Sequence, residues 1–246
     1  SKVLSAEEQA EWDRVKNRVG KICGTAAENK QPIFIDAEES WIQPAIDDLA
    51  NTNMALCNKN AVIVYNTYQL YRHDRLAYLE KSIAEARTKG YHLGAKLVRG
   101  AYMEKERKRA QDMAYPSPIQ QSKEKTDKDY DKALELCIKN MDLIAICAGT
   151  HNENSSLHLV RLMADKNIVP SDTRFYFSQL LGMSDHISYN LSTAGYNVAK
   201  YVPYGPVKEV LPYLIRRAQE NTSVKGQTGR ELSLIIKEKA RRSANR

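Results

Sequence analysis

Six short apolar runs, each separated from the next by a stretch long enough for a helix, constrain the fold of this chain more than any other feature. They cover residues 33–36, 61–65, 93–98, 143–147, 174–177 and 198–202. Their apolar character is continuous rather than alternating, the pattern of strands buried on both faces of a parallel sheet. Helical patterning fills 41–57, 75–89, 154–166 and 184–193, and the charged region 104–140, with Pro116 and Pro118 inside it, predicts a surface helix, a loop and a second helix. Ser5 followed by Glu8 predicts a capping box for a leading helix through Trp12, Val15 and Val19. Six β/α units without a break in composition predict one α/β domain.

Each predicted strand ends in chemistry. Asp36 closes the first, Asn66 follows the second, and Arg99, Gly100, Ala101 and Tyr102 follow the third. Thr150, His151 and Asn152 come after the fourth, Ser178, Gln179 and Leu180 after the fifth, and Tyr201 ends the sixth. Polar residues at the carboxyl ends of successive parallel strands are how a (β/α)8 barrel assembles an active site. Any one of them has a plainer reading as the cap of the next helix. Six in succession point to a site.

After the last run, residues 203–206 turn the chain into a helix with Pro206 suited to its first turn. Tyr213, Arg216, Arg217 and Glu220 recur there at spacings of three and four, so most of them share a face. Two adjacent guanidiniums beside a tyrosine make a planar, bidentate receptor for a small carboxylate. A solvated helix face is the plainer alternative.

A hydrophobic content of 42% suffices for a core, and no apolar run reaches the length of a membrane span. No signal peptide is read at the start of the chain. Of the net charge of +7, the segment from Lys225 onward carries +5, seven Lys/Arg against Glu231 and Glu238. The remaining chain is nearly neutral, which argues against nucleic acid as a partner. The tail, with Leu232, Leu234, Ile235 and Ile236 ahead of Lys237, Lys239, Arg241 and Arg242, suits peripheral contact with an anionic membrane as well as it suits a frayed, solvated helix. Cys23, Cys57, Cys137 and Cys147 form no CxxC pair and are expected to be free thiols, with no metal site.

Taken together, these residues resemble the proline dehydrogenase family, flavin-dependent (β/α)8 TIM-type barrels that open proline catabolism. The matching pieces are 34–38 (FIDAE), 65–69 (YNTYQ), 95–102 (AKLVRGAY), 149–152 (GTHN), 177–183 (FSQLLGM) and 201–221, in the family's order. The wording is nearer to the mitochondrial-type branch and its bacterial relatives than to the large bifunctional bacterial enzymes. The resemblance implies oxidation of L-proline to Δ1-pyrroline-5-carboxylate by hydride transfer from ring C5 to N5 of FAD, with electrons passed to a quinone. It implies a catalytic role for Asp36, Lys96 and Tyr201. Lys96 falls near flavin N5, and Asp36 is expected to hold Tyr201 or an ordered water. Cofactor contacts fall to Asn66, Lys96, Arg99, Gly100, Ala101, Thr150, His151, Asn152 and Gln179. Substrate contacts fall to Tyr102, Leu180, Tyr201, Tyr213, Arg216 and Arg217, with Glu220 orienting an arginine.

The chain departs from the family at Met103, where many relatives have a large aromatic or leucine. It also shows about six of the eight β/α units. The resemblance begins near the family's third strand, so a strand-end lysine for the carboxylate and an acidic residue gating the arginine pair are expected outside this sequence. Residues 1–224 are therefore expected to be the C-terminal portion of the barrel, and 225–246 a basic helical tail. Two rival readings are another FAD barrel of the methylenetetrahydrofolate reductase type and a non-catalytic barrel fragment acting as an interaction module. The expected location is cytoplasmic or peripheral at a bacterial inner membrane face, or the mitochondrial inner membrane or matrix in a eukaryote.

Overall fold

The computed structural model describes residues 4–223 and 227–244. The elements run α1 (Ala6–Glu28), β1 (Ile33–Ile35), α2 (Gln43–Cys57), β2 (Val64–Gln69), α3 (Arg75–Lys89), β3 (Leu93–Val98), α4 (Met103–Asp112), α5 (Lys123–Lys139), β4 (Ile144–Gly149), α6 (Glu153–Asp165), β5 (Phe175–Leu180), α7 (Asp185–Thr193), β6 (Val198–Tyr201), α8 (Val207–Ser223) and α9 (Gln227–Ala244). Ser5 and Glu8 form the expected capping box at α1, the serine Oγ accepting from the Glu8 amide and the Glu8 carboxylate accepting from the Ser5 amide. By packing, the chain forms two compact units, Ser1–Lys200 and Tyr201–Arg246.

The strands form one six-stranded sheet in the order β1-β2-β3-β4-β5-β6, parallel and curled into part of a (β/α)8-type barrel. The register sets Ile35 beside Asn66, Asn66 beside Ala95, Ala95 beside Ile146 and Ile146 beside Phe175. Side chains of this parity face the helices. Val64, Tyr68, Leu93, Leu97, Ile146, Ala148, Phe175 and Phe177 are buried there with Leu79 and Ile83 of α3, Tyr130 and Leu134 of α5, and Leu159 and Met163 of α6. The other parity turns inward. It comprises Phe34; Tyr65, Thr67 and Gln69; Gly94, Lys96 and Val98; Cys147; and Tyr176, Ser178 and Leu180, aligned by the pairings Phe34–Tyr65, Thr67–Lys96, Lys96–Cys147 and Cys147–Tyr176. Gly94 is required there, because a Cβ would come within 2.3 Å of the Val64 carbonyl oxygen and 2.8 Å of the Tyr65 ring.

Two strands extend three or more residues past their expected ends. β2 runs Val64–Gln69 rather than 61–65, and β5 runs Phe175–Leu180 rather than 174–177. In both, polar residues that read as strand ends continue the ladder, because their side chains find buried partners. Asn66 and Gln179 thus lie within strands and not after them.

Asn58, fully buried after α2, sets where β2 begins. Its Oδ1 accepts from the amides of Ile63 (3.0 Å) and Val64 (2.9 Å), while its Nδ2 donates to the carbonyls of Val64 (2.8 Å) and His92 (3.0 Å). Asn58→Ala leaves these backbone groups without that partner and is expected to cost on the order of 3 kcal/mol, read from the urea midpoint. A loss below about 1 kcal/mol would mean that water replaces the amide.

Candidate active site

At the carboxyl end of the inner sheet face, Lys96 projects from β3 and forms an ion pair with Asp36, the residue after β1. Lys96 Nζ also lies 5.3 Å from the centroid of the Phe34 ring. Thr67, between them on β2, donates to the Ile35 carbonyl (2.8 Å) and approaches Asp36 Oδ1 at 3.5 Å. The partners of Asp36 within this unit are Lys96 and Thr67. Lys96 keeps 15% of its side-chain surface exposed and Asp36 52%, so the pair is open to a ligand. Cys147, next in register, is buried, which pushes its thiol up to about 11, with Lys96 pulling the other way.

Arg99 has the opposite parity and leaves this group. Its Nε donates to Asp127 (2.7 Å), its Nη1 to Thr150 Oγ1 (2.7 Å) and its Nη2 to Ser155 Oγ (3.0 Å), and the guanidinium stacks 4.4 Å over Tyr130. Burial raises the Asp127 pKa, but hydrogen bonds from Lys123 and Arg99 outweigh it and hold the carboxyl below its ordinary value. Arg99 therefore clamps the end of β3 to α5 and α6. Gly100 follows with φ 130°, and a Cβ there would lie 2.4 Å from the Tyr71 ring. Only glycine serves where φ is positive and the Cβ position is filled by an aromatic ring. Ala101 is exposed, and Tyr102, half-buried, occupies the N-cap position of α4.

The end of β4 is built largely from caps. Thr150 Oγ1 accepts from the Asn152 amide (3.0 Å), and Asn152 Oδ1 accepts from the amides of Asn154 (2.9 Å) and Ser155 (3.2 Å) at the start of α6. His151 Nδ1 lies 3.0 Å from Ser184 Oγ, tying this loop to the one after β5. Leu180 ends β5 on the inner face, half-buried.

The structure does not bring Asn66 and Gln179 to this face. Asn66 donates to Asp47 of α2 (2.9 Å) in the helical layer. Gln179 donates to the Thr150 carbonyl (3.2 Å) and accepts from Ser188 of α7 (2.8 Å). Both side chains serve packing between sheet and helices. Residues the sequence did not single out are Thr67, which register with Lys96 would have marked, and Tyr71, which bears on Gly100.

In the second unit, Tyr201 and Tyr213 rings lie 5.4 Å apart and the Arg217 guanidinium sits 5.2 Å from the Tyr213 centroid. Arg216 and Glu220 lie on α8, and their side chains fall outside the described part of the structure. α9 exposes Ile235 and Ile236, while Arg241 and Arg242 both pair with Glu238. The basic tail is thus partly neutralised by its own carboxylate. Among the described residues no helix is long and apolar enough to cross a membrane.

A family model described as proline dehydrogenase matches residues 2–230. Proline dehydrogenase 1, mitochondrial, of Caenorhabditis elegans is 41% identical over 244 residues, covering 97% of this chain and 40% of that protein. Hydroxyproline dehydrogenase of Xenopus laevis is 40% identical over 246 residues, covering 98% of this chain and 53% of that protein. Among solved structures, proline utilization A of Bdellovibrio bacteriovorus, inactivated by N-propargylglycine, matches with a TM-score of 0.78 at 24% identity, over 87% of this chain and 23% of that one. That last likeness bears on the fold. The chain spans about two-fifths to one half of the curated relatives it matches.

Proposed function

We propose, because the chain belongs to the proline dehydrogenase family, that it supplies the catalytic sheet of an FAD-dependent enzyme oxidising L-proline to Δ1-pyrroline-5-carboxylate, with a quinone as final acceptor. The observation that carries this reading is the Lys96–Asp36 pair at the carboxyl end of the inner face, where a parallel barrel places its chemistry. The residues present fit a flavin. Phe34, exposed, and Leu180, half-buried, offer apolar surface on that face, and Lys96 offers a cation.

FAD, when bound, supplies the two-electron acceptor for a hydride from proline C5. Lys96 would face the cofactor and present a fixed positive charge where negative charge accumulates on reduction, the preorganised arrangement that costs nothing at the moment of reaction. Asp36 and Thr67 would hold the Lys96 ammonium in place. Gly100, Ala101, Thr150 and His151 would line the cofactor, with Arg99 anchoring their loops from behind. Arg216 and Arg217 of α8 would take the substrate carboxylate, with Tyr201 and Tyr213 against the ring. A positive cluster of this kind also disfavours the ammonium form of proline, and the amine must be neutral to release hydride. The exposed Ile235 and Ile236 of α9 support peripheral membrane contact, in keeping with relatives named as mitochondrial.

The test is purification of the full-length protein. It should be yellow, release its flavin on acid denaturation, and reduce a dye acceptor when given L-proline. Hydroxyproline should be assayed in parallel, since one relative is named for it. Lys96→Met should retain flavin while kcat falls about tenfold to a hundredfold, the size of one lost electrostatic contact. Protein without flavin, or a Lys96→Met variant with unchanged kcat, would overturn the reading.

A further inference from the structure

Glu106 stands out among the acids of α4 because it is fully buried. Its Oε1 accepts from the Ser40 amide at 2.5 Å and its Oε2 from the Ser40 hydroxyl at 2.7 Å. Ser40 belongs to the loop after β1, 66 residues earlier in the chain. That loop begins at Asp36, and Glu106 lies one helical turn beyond Tyr102, whose carbonyl accepts from the Glu106 amide at 2.9 Å. β2 separates β1 from β3, so the two loops start about 10 Å apart, two strand spacings.

Neighbouring contacts reinforce the junction. Lys105 pairs with Glu39, Arg109 stacks 4.5 Å over the Trp41 ring, and Gln69 Nε2 donates to the Glu38 carbonyl at 2.7 Å. Tyr71, the ring under Gly100, has its hydroxyl pKa pushed up by burial and then by Glu106, so Glu106 lies close to the support of that loop as well. The contacts with Lys105 and Arg109 are surface ones, of small energetic weight. The buried carboxylate is different, because a polar group taken from water holds its partners to one geometry.

We propose that Glu106 is a positioning residue for the reaction: it locks the loop bearing Asp36 to the loop bearing Gly100 and Tyr102, and so fixes the placement of Lys96 and Tyr102 relative to each other. This rests on the proline dehydrogenase reading above.

The test uses the flavin-loaded full-length protein with Glu106→Ala, Glu106→Gln and Ser40→Ala. In Glu106→Ala, amide hydrogen exchange over residues 36–42 should rise about tenfold or more, and kcat per bound flavin should fall about tenfold to a hundredfold, the scale of a misplacement near 1 Å. Glu106→Gln should recover most of both, since its amide can accept from the Ser40 N–H and donate to the Ser40 hydroxyl. Ser40→Ala, which leaves α4 untouched, should fall between and carries the test if Glu106→Ala does not fold. Unchanged exchange with kcat per flavin within about twofold would overturn the proposal, as would a loss of Tm with kcat per flavin unaltered. A parent protein that oxidises neither proline nor hydroxyproline would overturn the functional reading instead, and exchange alone would then decide whether Glu106 couples the loops.

Discussion

Arg75→Ala is expected to lower stability by about 3–5 kcal/mol, the cost of leaving a buried charge without its partner. Arg75 and Asp47 are 3% and 6% exposed, and they meet through two parallel bonds, Nη1 to Oδ2 at 2.8 Å and Nη2 to Oδ1 at 2.9 Å. Asp47 Oδ1 also accepts from Gln43 Nε2 at 3.0 Å and Asn66 Nδ2 at 2.9 Å, and the guanidinium lies 4.0 Å from the centroid of Tyr78. Burial pulls the Arg75 pKa down, yet the Asp47 carboxylate overrides it and the value rises above the ordinary one. The pair joins α2, α3 and β2 behind the sheet. Removing the arginine strands a carboxylate with two neutral donors. The double variant Asp47→Leu/Arg75→Met should cost much less than the sum of the single changes, because it removes both desolvation penalties together. Urea midpoints for the parent, Arg75→Ala, the two single changes and the double variant decide it; an Arg75→Ala loss under about 1 kcal/mol would show that water reaches the pair.

The same network explains what the sequence could and could not reveal. Asp36, the 99–102 segment and the 150–152 segment were legible because each follows an apolar run that does end there. Asn66 and Gln179 were misplaced for a physical reason. A polar residue next to an apolar run reads as a strand end, yet here each amide continues the strand and is satisfied from the helical layer, by Asp47 for one and Ser188 for the other. Those partners are distant in sequence or lie on elements whose packing is tertiary. Asn152 is partly legible: its side chain takes the helix cap that asparagine takes anywhere. The Ser5–Glu8 capping box was readable because it is local. Glu106 was not, since nothing within the charged 104–132 segment distinguishes it from its acidic neighbours until the 36–42 loop closes over it.

The other large effect belongs to α8. Arg216→Ala/Arg217→Ala in the full-length enzyme should raise KM for proline by roughly 10²–10⁴-fold. Each guanidinium is expected to contribute charge-assisted hydrogen bonds worth about 1.5–3 kcal/mol to the carboxylate, and about 1.4 kcal/mol is one factor of ten. The helix already shows how one of them is held. Arg217 lies one turn after Tyr213 with its guanidinium 5.2 Å from that ring's centroid, and Tyr213 in turn meets Tyr201 at 5.4 Å. A cation laid against an aromatic keeps its outward N–H groups aimed at one place, which lowers the entropy lost when an anion arrives. Lysine retains charge but neither the planar fork nor the flat face, so Arg217→Lys alone should raise KM by roughly tenfold to a hundredfold. Tyr213→Leu should give a smaller rise of the same kind, about twofold to fivefold, since the stack contributes about 0.5–1 kcal/mol. Flavin content should stay near that of the parent in all three, because the pair is assigned to the substrate and not the cofactor. A flavin-replete double variant with the parent's KM would place the carboxylate elsewhere and return α8 to the plainer reading of a charged helix face.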